Sequence, residues 1–204
     1  MYDLIPLFPV AVYKTQLRSL TLAENNTIQN IKIRNNKLGN QVTAEPRLLD
    51  REEFKDFNSE ITKHLNEYIG KVLSTKFDCF ITDSWMNITN PGEEHAMHCH
   101  TNSILSGVYY IDVNDSEPSI NFYRMTHPYM LNFVQEQHNV FNSQVWNLPV
   151  RNNELILFPS STWHSVNKNT GTRVRLSIAF NTFVKGSVKN MYSGSELSFN
   201  FDEE

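Results

Sequence analysis

The sequence predicts an α+β domain in which one amphipathic helix packs outside a core of two antiparallel sheets, a β-sandwich or jelly-roll barrel. Three observations carry this. Residues 48–76 place apolar side chains at steps of three and four, the chain beyond Phe77 changes to short segments of period two, and turn formers separate several of those segments. The 204 residues, 40% of them hydrophobic, suffice for one such domain with a full core.

The first 17 residues are apolar but lack a basic start and carry Pro6 and Pro9, so they read as an edge strand or a core-packing arm rather than a signal peptide. The Asn-X-Ser/Thr matches at Asn25, Asn87 and Asn114 then carry no meaning for glycosylation. In the helical stretch Phe54, Phe57, Ile61, Leu65, Ile69 and Val72 form one face, Asp50 and Glu53 have the spacing of a capping box, and Gly70 weakens the last turn. Strands are expected at 83–89, 95–100, 104–113, 119–124, 143–150, 154–159, 163–169 and 173–183, with turns at Asn90-Pro91-Gly92, 114–118 and Asn169-Thr170-Gly171. Residues 126–142 fit neither period and read as an insertion near the barrel mouth. The acidic end, 193–204, is expected to be a mobile tail or a partner-binding strand.

A net charge of -4 and a pI near 6.0 give no footprint for nucleic acid or anionic lipid. No window is long and apolar enough to span a membrane. Two cysteines, Cys79 and Cys99, without an export signal indicate no disulfide framework, and a soluble cytoplasmic protein is expected.

Three of the seven histidines fall within six residues, HAMHCH, His95 to His100. On an extended strand His98 and His100 share a face and Cys99 takes the other, so two imidazoles can meet one metal while the thiol cannot join them. His95 has the opposite parity and would need a bulge to join the pair. Such a pair alone is more often a surface feature. It gains weight from a second segment, in which the apolar run 155–158 turns at Pro159-Ser160-Ser161 and emerges at Trp163-His164-Ser165-Val166. The last strand alternates Val174, Leu176, Ile178 and Phe180 on one face with Arg173, Arg175, Ser177, Ala179 and Asn181 on the other. Solvated faces usually carry Lys and Glu, whereas this polar face suits a pocket wall that holds an anion through an arginine and a hydroxyl.

In this order the residues resemble the Fe(II)/2-oxoglutarate-dependent dioxygenases, whose fold is a double-stranded β-helix, a cupin-like jelly roll. The closest resemblance, through Trp85-Met86-Asn87, His98-Cys99-His100, residues 105–110 and Phe158-Pro159 with Trp163-His164-Ser165-Val166, is to a little-characterised bacterial and phage branch. It covers roughly residues 80–182. It implies a single oxygenase domain over 1–204, with an N-terminal arm and supporting helix in 1–76 and a tail at 184–204. It also implies iron ligation by His98 and His164, binding of the distal 2-oxoglutarate carboxylate by Arg175 and Ser177, and a further hydrogen bond to it from Tyr110. Tyr110 can equally be a core aromatic, and Arg173 can replace Arg175.

One departure stands out. His100 occupies the position where the family carries a carboxylate, so a ligand set of His98, His100 and His164 would leave the full double charge of Fe(II) uncompensated. His100 is expected to be a ligand, the alternatives being a supporting group or neither; Glu93, Glu94 and His95 are weaker substitutes. The resemblance implies Fe(II) and 2-oxoglutarate as cofactors, O2 as co-substrate, and hydroxylation of a C–H bond in a peptide, amino acid or small metabolite. The rivals are a three-histidine cupin-like dioxygenase that does not use 2-oxoglutarate, and a jelly-roll binding or structural module without catalysis.

Overall fold

The structure, a computed structural model, describes residues 3–113, 119–126, 134–189 and 192–199. Twelve strands and two α-helices are found among them, and the strands form two antiparallel sheets. The larger sheet has the order β1 (Tyr13–Gln16), β9 (Glu154–Pro159), β6 (Leu105–Asp112), β11 (Arg175–Lys189), β4 (Asp78–Thr89), β3 (Gln41–Thr43) and β2 (Ile33–Asn35), with β12 (Glu196–Phe199) on the far end of β11. The smaller sheet runs β5 (His95–His98), β10 (His164–Val166), β7 (Ser119–Tyr123) and β8 (Val145–Pro149). From β4 to β11 the chain passes back and forth between the two sheets, β4, β6, β9 and β11 in one and β5, β7, β8 and β10 in the other, with β7 and β8 paired as consecutive strands of the smaller sheet. That winding is a double-stranded β-helix.

The helix α2 (Lys55–Tyr68) covers the outer face of the larger sheet. Phe54, Phe57, Ile61, Leu65, Tyr68 and Ile69 pack on Ile81, Met86, Leu105, Tyr109, Leu155, Leu157, Ile178 and Phe180 in one buried cluster. A second cluster, Tyr110, Val113, Ile120, Phe122, Val150, Ile156 and Phe158, fills the space between the sheets. Alternation along β6 therefore sends Tyr109 out to the helix, edge-on to Phe57 at 4.8 Å, and Tyr110 inward.

Several local expectations are corrected. No capping box starts α2: two 3₁₀ turns, Leu48–Asp50 and Glu52–Phe54, precede it, and Asp50 pairs with Arg47. The box is instead at Thr21 and Glu24, opening α1 (Leu22–Asn30), which the sequence reading missed because that helix has almost no apolar periodicity. At Gly70 the helix does not simply weaken but widens into a π-helical turn, Ile69–Leu73, which leaves Val72 exposed. The polar run 33–43 supplies two short strands without a period-two signal. Within the acidic end, Glu196–Phe199 forms a strand that pairs with β11 of the same chain; residues 200–204 lie outside the described set. The insertion at 126–142 has no regular element among its described residues, 126 and 134–142.

Gly107 shows how tightly the larger sheet is closed. A Cβ at this position would enter the ring of the fully buried Phe180. Gly107→Ala is expected to lower stability by about 2–3 kcal/mol, the usual cost of overpacking. At roughly 2–4 °C per kcal/mol for a chain of this size, a melting temperature that does not change would refute the account.

Candidate metal and oxo-acid site

The smaller sheet presents a row of side chains toward the larger one. His98 on β5 stands opposite His164 on β10 and His164 opposite the buried Phe122 on β7, while Trp146 on the edge strand β8, opposite Phe122, is exposed. β5 ends at His98, earlier than expected, but the chain stays tied to the barrel because the His100 amide donates to the Ser160 carbonyl at 2.9 Å. His98, His100 and His164 consequently converge, with one ring nitrogen from each within 4.8 Å of the others. Ring centroids are 4.3 Å apart for His98 and His164, 5.0 Å for His98 and His100, and 5.2 Å for His100 and His164. Among the described residues no carboxylate and no thiol joins this group, and Cys99 is a bystander to it.

Two of the rings are oriented by the backbone. His98 Nδ1 donates to the Ala96 carbonyl at 2.8 Å and His164 Nδ1 to the Thr162 carbonyl at 2.9 Å. That bond fixes the tautomer and leaves Nε2 as the lone-pair nitrogen, as a metal requires. Among the described residues no such bond holds the His100 ring, which lies 6.0 Å from Trp85. Burial pushes the imidazoles toward the neutral, ligand-competent form. His98 is lowered, His100 falls to about 4, and His164 falls to about 3, the neighbouring rings adding to the effect for the last two.

His95 departs from expectation. The pairing of β5 with β10 shifts register between His164 opposite His98 and Val166 opposite His95, so the four residues 95–98 on one strand face the three residues 164–166 on the other. This bulge turns His95 to the side of His98, where the two rings stack at 4.5 Å and 20°. His95 is only 8% exposed, and burial followed by the adjacent His98 and His100 lowers its pKa to about 3.

The linkage sign is the same for all four rings. A folded value below the unfolded value of about 6.5 gives stability that is complete above pH 6.5 and is lost as pH falls toward 3–4. The unfolding free energy of metal-free protein from urea titration is expected to fall between pH 7.5 and 5.5 by at least about 1.4 kcal/mol, one proton over one pH unit, with a lower urea midpoint. A midpoint that is flat over that range contradicts burial of the cluster.

On the larger sheet, the inner face of β11 carries Arg175, Ser177, Ala179 and Asn181, while Leu176, Ile178 and Phe180 lie against the helix cluster. Ser177 stands between Asn87 on β4 and Tyr110 on β6. Arg175 is 5% exposed and its Nη1 donates to the Asn167 carbonyl at 3.3 Å; among the described residues neither its Nε nor the buried Tyr110 hydroxyl has a partner. Burial lowers the Arg175 pKa and raises that of Tyr110, and each group moderates the shift of the other. Arg173, the alternative, is 58% exposed and faces Asp112 at 3.6 Å. Asn87, of the Trp85-Met86-Asn87 stretch, is a site residue that sequence reasoning missed. Its Oδ1 accepts from Trp85 Nε1 at 3.2 Å and from Asn40 Nδ2 at 3.3 Å, which orients the carboxamide beside Ser177.

Residues 83–181 match the family described as "Putative 2OG-Fe(II) oxygenase". Among curated proteins no match is found. Similar solved structures include HygX of Streptomyces hygroscopicus with nickel, 2-oxoglutarate and hygromycin B bound (9% identity, 85% of this chain and 82% of that one, TM-score 0.58). Others are a 2OG-Fe(II) oxygenase family oxidoreductase of Burkholderia pseudomallei (12%, 79% and 76%, 0.56) and the non-heme alpha ketoglutarate dependent carbocyclase SnoK of nogalamycin biosynthesis (11%, 87% and 81%, 0.56). At such identities these likenesses speak for the fold. The residues that match this family, 83–181, hold every histidine, arginine, serine and tyrosine of the candidate site.

Proposed function

We propose that this protein is an Fe(II)- and 2-oxoglutarate-dependent dioxygenase that hydroxylates a C–H bond of a small molecule or peptide. The observation that carries the reading is a buried cation without a carboxylate partner. Arg175 Nε and the Tyr110 hydroxyl are both unsatisfied in an interior that also holds three convergent imidazoles. A buried polar atom without a partner costs free energy comparable to a lost hydrogen bond, and for a charged group more. An anion that reaches Arg175, Tyr110 and Ser177 removes that cost, and a diacid whose other end chelates a metal satisfies both halves of the site.

His98, His100 and His164 would hold Fe(II), and Arg175, Ser177 and Tyr110 the distal carboxylate. When bound, iron with 2-oxoglutarate and O2 supplies an oxidant able to attack an unactivated C–H bond, with release of succinate and CO2. The chain's part is positional. Nδ1 bonds aim His98 and His164, the guanidinium fixes the oxo acid, and Phe122, Phe158 and Trp85 wall the site against water. A small-molecule substrate agrees with a fold shared with a protein crystallised with hygromycin B. Two free cysteines, Cys79 and Cys99, fit a reducing, cytoplasmic setting.

A second reading is favoured by the neutral ligand set: a three-histidine dioxygenase whose substrate chelates the metal directly, without an oxo acid. Anaerobic titration of Fe(II)-loaded protein with 2-oxoglutarate separates the two. A visible metal-to-ligand charge-transfer band that is lost in Arg175→Ala supports the oxo-acid reading; bound iron without a band supports the second; no bound iron removes both.

A further inference from the structure

Among the described residues four buried side-chain atoms lack a hydrogen-bond partner: His95 Nε2, Tyr110 Oη, Ser143 Oγ and Arg175 Nε. Ser143 lies just ahead of β8, and Tyr110 and Arg175 are accounted for by an oxo acid. His95 is not, although an unsatisfied buried imidazole nitrogen is as unusual as the other two.

Its place along the sheet is informative. On β10, His164 stands opposite His98, Val166 stands opposite His95, and the carbonyl of Asn167, one residue on, accepts from Arg175. The bulge brings His95 to the inner side, stacked on His98. His95 thus lies between the imidazole trio and the guanidinium. His164 to Asn167 spans about 10 Å at the usual rise of a strand, which an extended five-carbon diacid and its contacts at the two ends would fill. The ring is not one of the three that share the 4.8 Å cluster.

We propose that His95 is a positioning residue for the oxo acid, its Nε2–H donating a hydrogen bond to the metal-facing end of bound 2-oxoglutarate. The proposal rests on the 2-oxoglutarate reading above. The strand bulge is the device that serves it: without the extra residue His95 would face the other way, and Nε2 would not enter the interior. Stacking on His98 fixes the plane of the ring, so its polar edge is held in place before the ligand arrives.

A purely structural His95, present only to pack on His98, would be replaced without loss by another flat ring, and this decides the test. Parent, His95→Phe and His95→Gln are loaded anaerobically with Fe(II). Metal affinity, 2-oxoglutarate affinity by calorimetry, and the position of the charge-transfer band are measured for each. His95→Phe is expected to hold the metal as the parent does and to bind 2-oxoglutarate about 10- to 100-fold more weakly, the loss of one hydrogen bond to a charged group, with a displaced band. His95→Gln, which keeps an N–H donor, is expected to recover part of the affinity. Should His95→Phe not fold, His95→Gln is compared with His95→Leu, both without a ring and differing in the N–H donor, and equal 2-oxoglutarate affinity in these two overturns the proposal.

Unchanged 2-oxoglutarate affinity and an unshifted band in His95→Phe overturn the proposal, and so does a loss confined to metal affinity. A parent protein that binds metal but gives neither heat nor band with 2-oxoglutarate overturns the cofactor reading itself, and this inference with it.

Discussion

Arg175→Met is expected to melt at a higher temperature than the parent when no 2-oxoglutarate is present, and at a lower one when the oxo acid is saturating. The two signs have one cause. Arg175 is 5% exposed, no carboxylate pairs with it among the described residues, and burial depresses its pKa, so without a ligand it is an uncompensated buried charge. Methionine fills a similar volume without that cost, and relief of about 1–3 kcal/mol is expected, the Asn167 carbonyl having compensated part of it. With ligand the sign reverses, because the parent gains about 2.7 kcal/mol at a concentration one hundred times the dissociation constant and the variant gains little. Its 2-oxoglutarate affinity should fall by about 1,000-fold, the scale of removing one partner of a buried charge pair. Melting curves of both proteins, with and without 2-oxoglutarate and in the presence of Mn(II) or Fe(II), check all four values. A variant destabilised under both conditions would show that Arg175 has a structural task instead.

His164→Ala and His98→Ala should each weaken metal binding by about 100- to 1,000-fold, and His100→Ala by less. The scale follows from about 10–16 kcal/mol for a four-ligand structural zinc site, hence roughly 3–4 kcal/mol per ligand. The order follows from preparation of the rings. His98 and His164 are held by Nδ1 bonds of 2.8 and 2.9 Å to carbonyls, so binding does not have to freeze them, whereas the His100 ring has no hydrogen bond among the described residues and must be ordered as the metal arrives. Competition for Mn(II) or Zn(II) with a chromophoric chelator measures the three variants. Equal losses at all three positions would mean that the orientation of His98 and His164 contributes nothing, and no loss at His100 would leave a two-histidine site. Replacement by aspartate is the complementary variant: His100→Asp gives the site one negative charge and should tighten binding of a hard divalent cation relative to His100→Ala.

Local repetition made most of the fold legible. A period of two over residues 83–89, 104–113 and 173–183, and of 3.6 over 54–69, are properties of neighbours in the chain, and the structure has β4, β6, β11 and α2 at those places. Each fixes which face is buried, so the opposite fates of Tyr109 and Tyr110, and of Leu176 and Arg175, were already implied by alternation. Elements without such repetition were not legible. α1 is held by a capping box and by the Arg18–Glu24 pair at 2.7 Å rather than by an apolar stripe, and β12 is short, polar and formed only because β11 runs on to Lys189.

What the sequence by itself determined here is the set of side chains and their alternating sides: histidines on one sheet, an arginine, a serine and a tyrosine on the other. The distance between the sheets, the tie from His100 to the Ser160 carbonyl, and the burial of Arg175 against the exposure of Arg173 were decided by tertiary structure, because each depends on a partner far away in the chain. His95 is the sharpest case. Strict alternation puts it on the wrong side, and one extra residue in the pairing of β5 with β10 reverses that. A bulge changes parity, and parity is the only information about facing that a strand sequence carries.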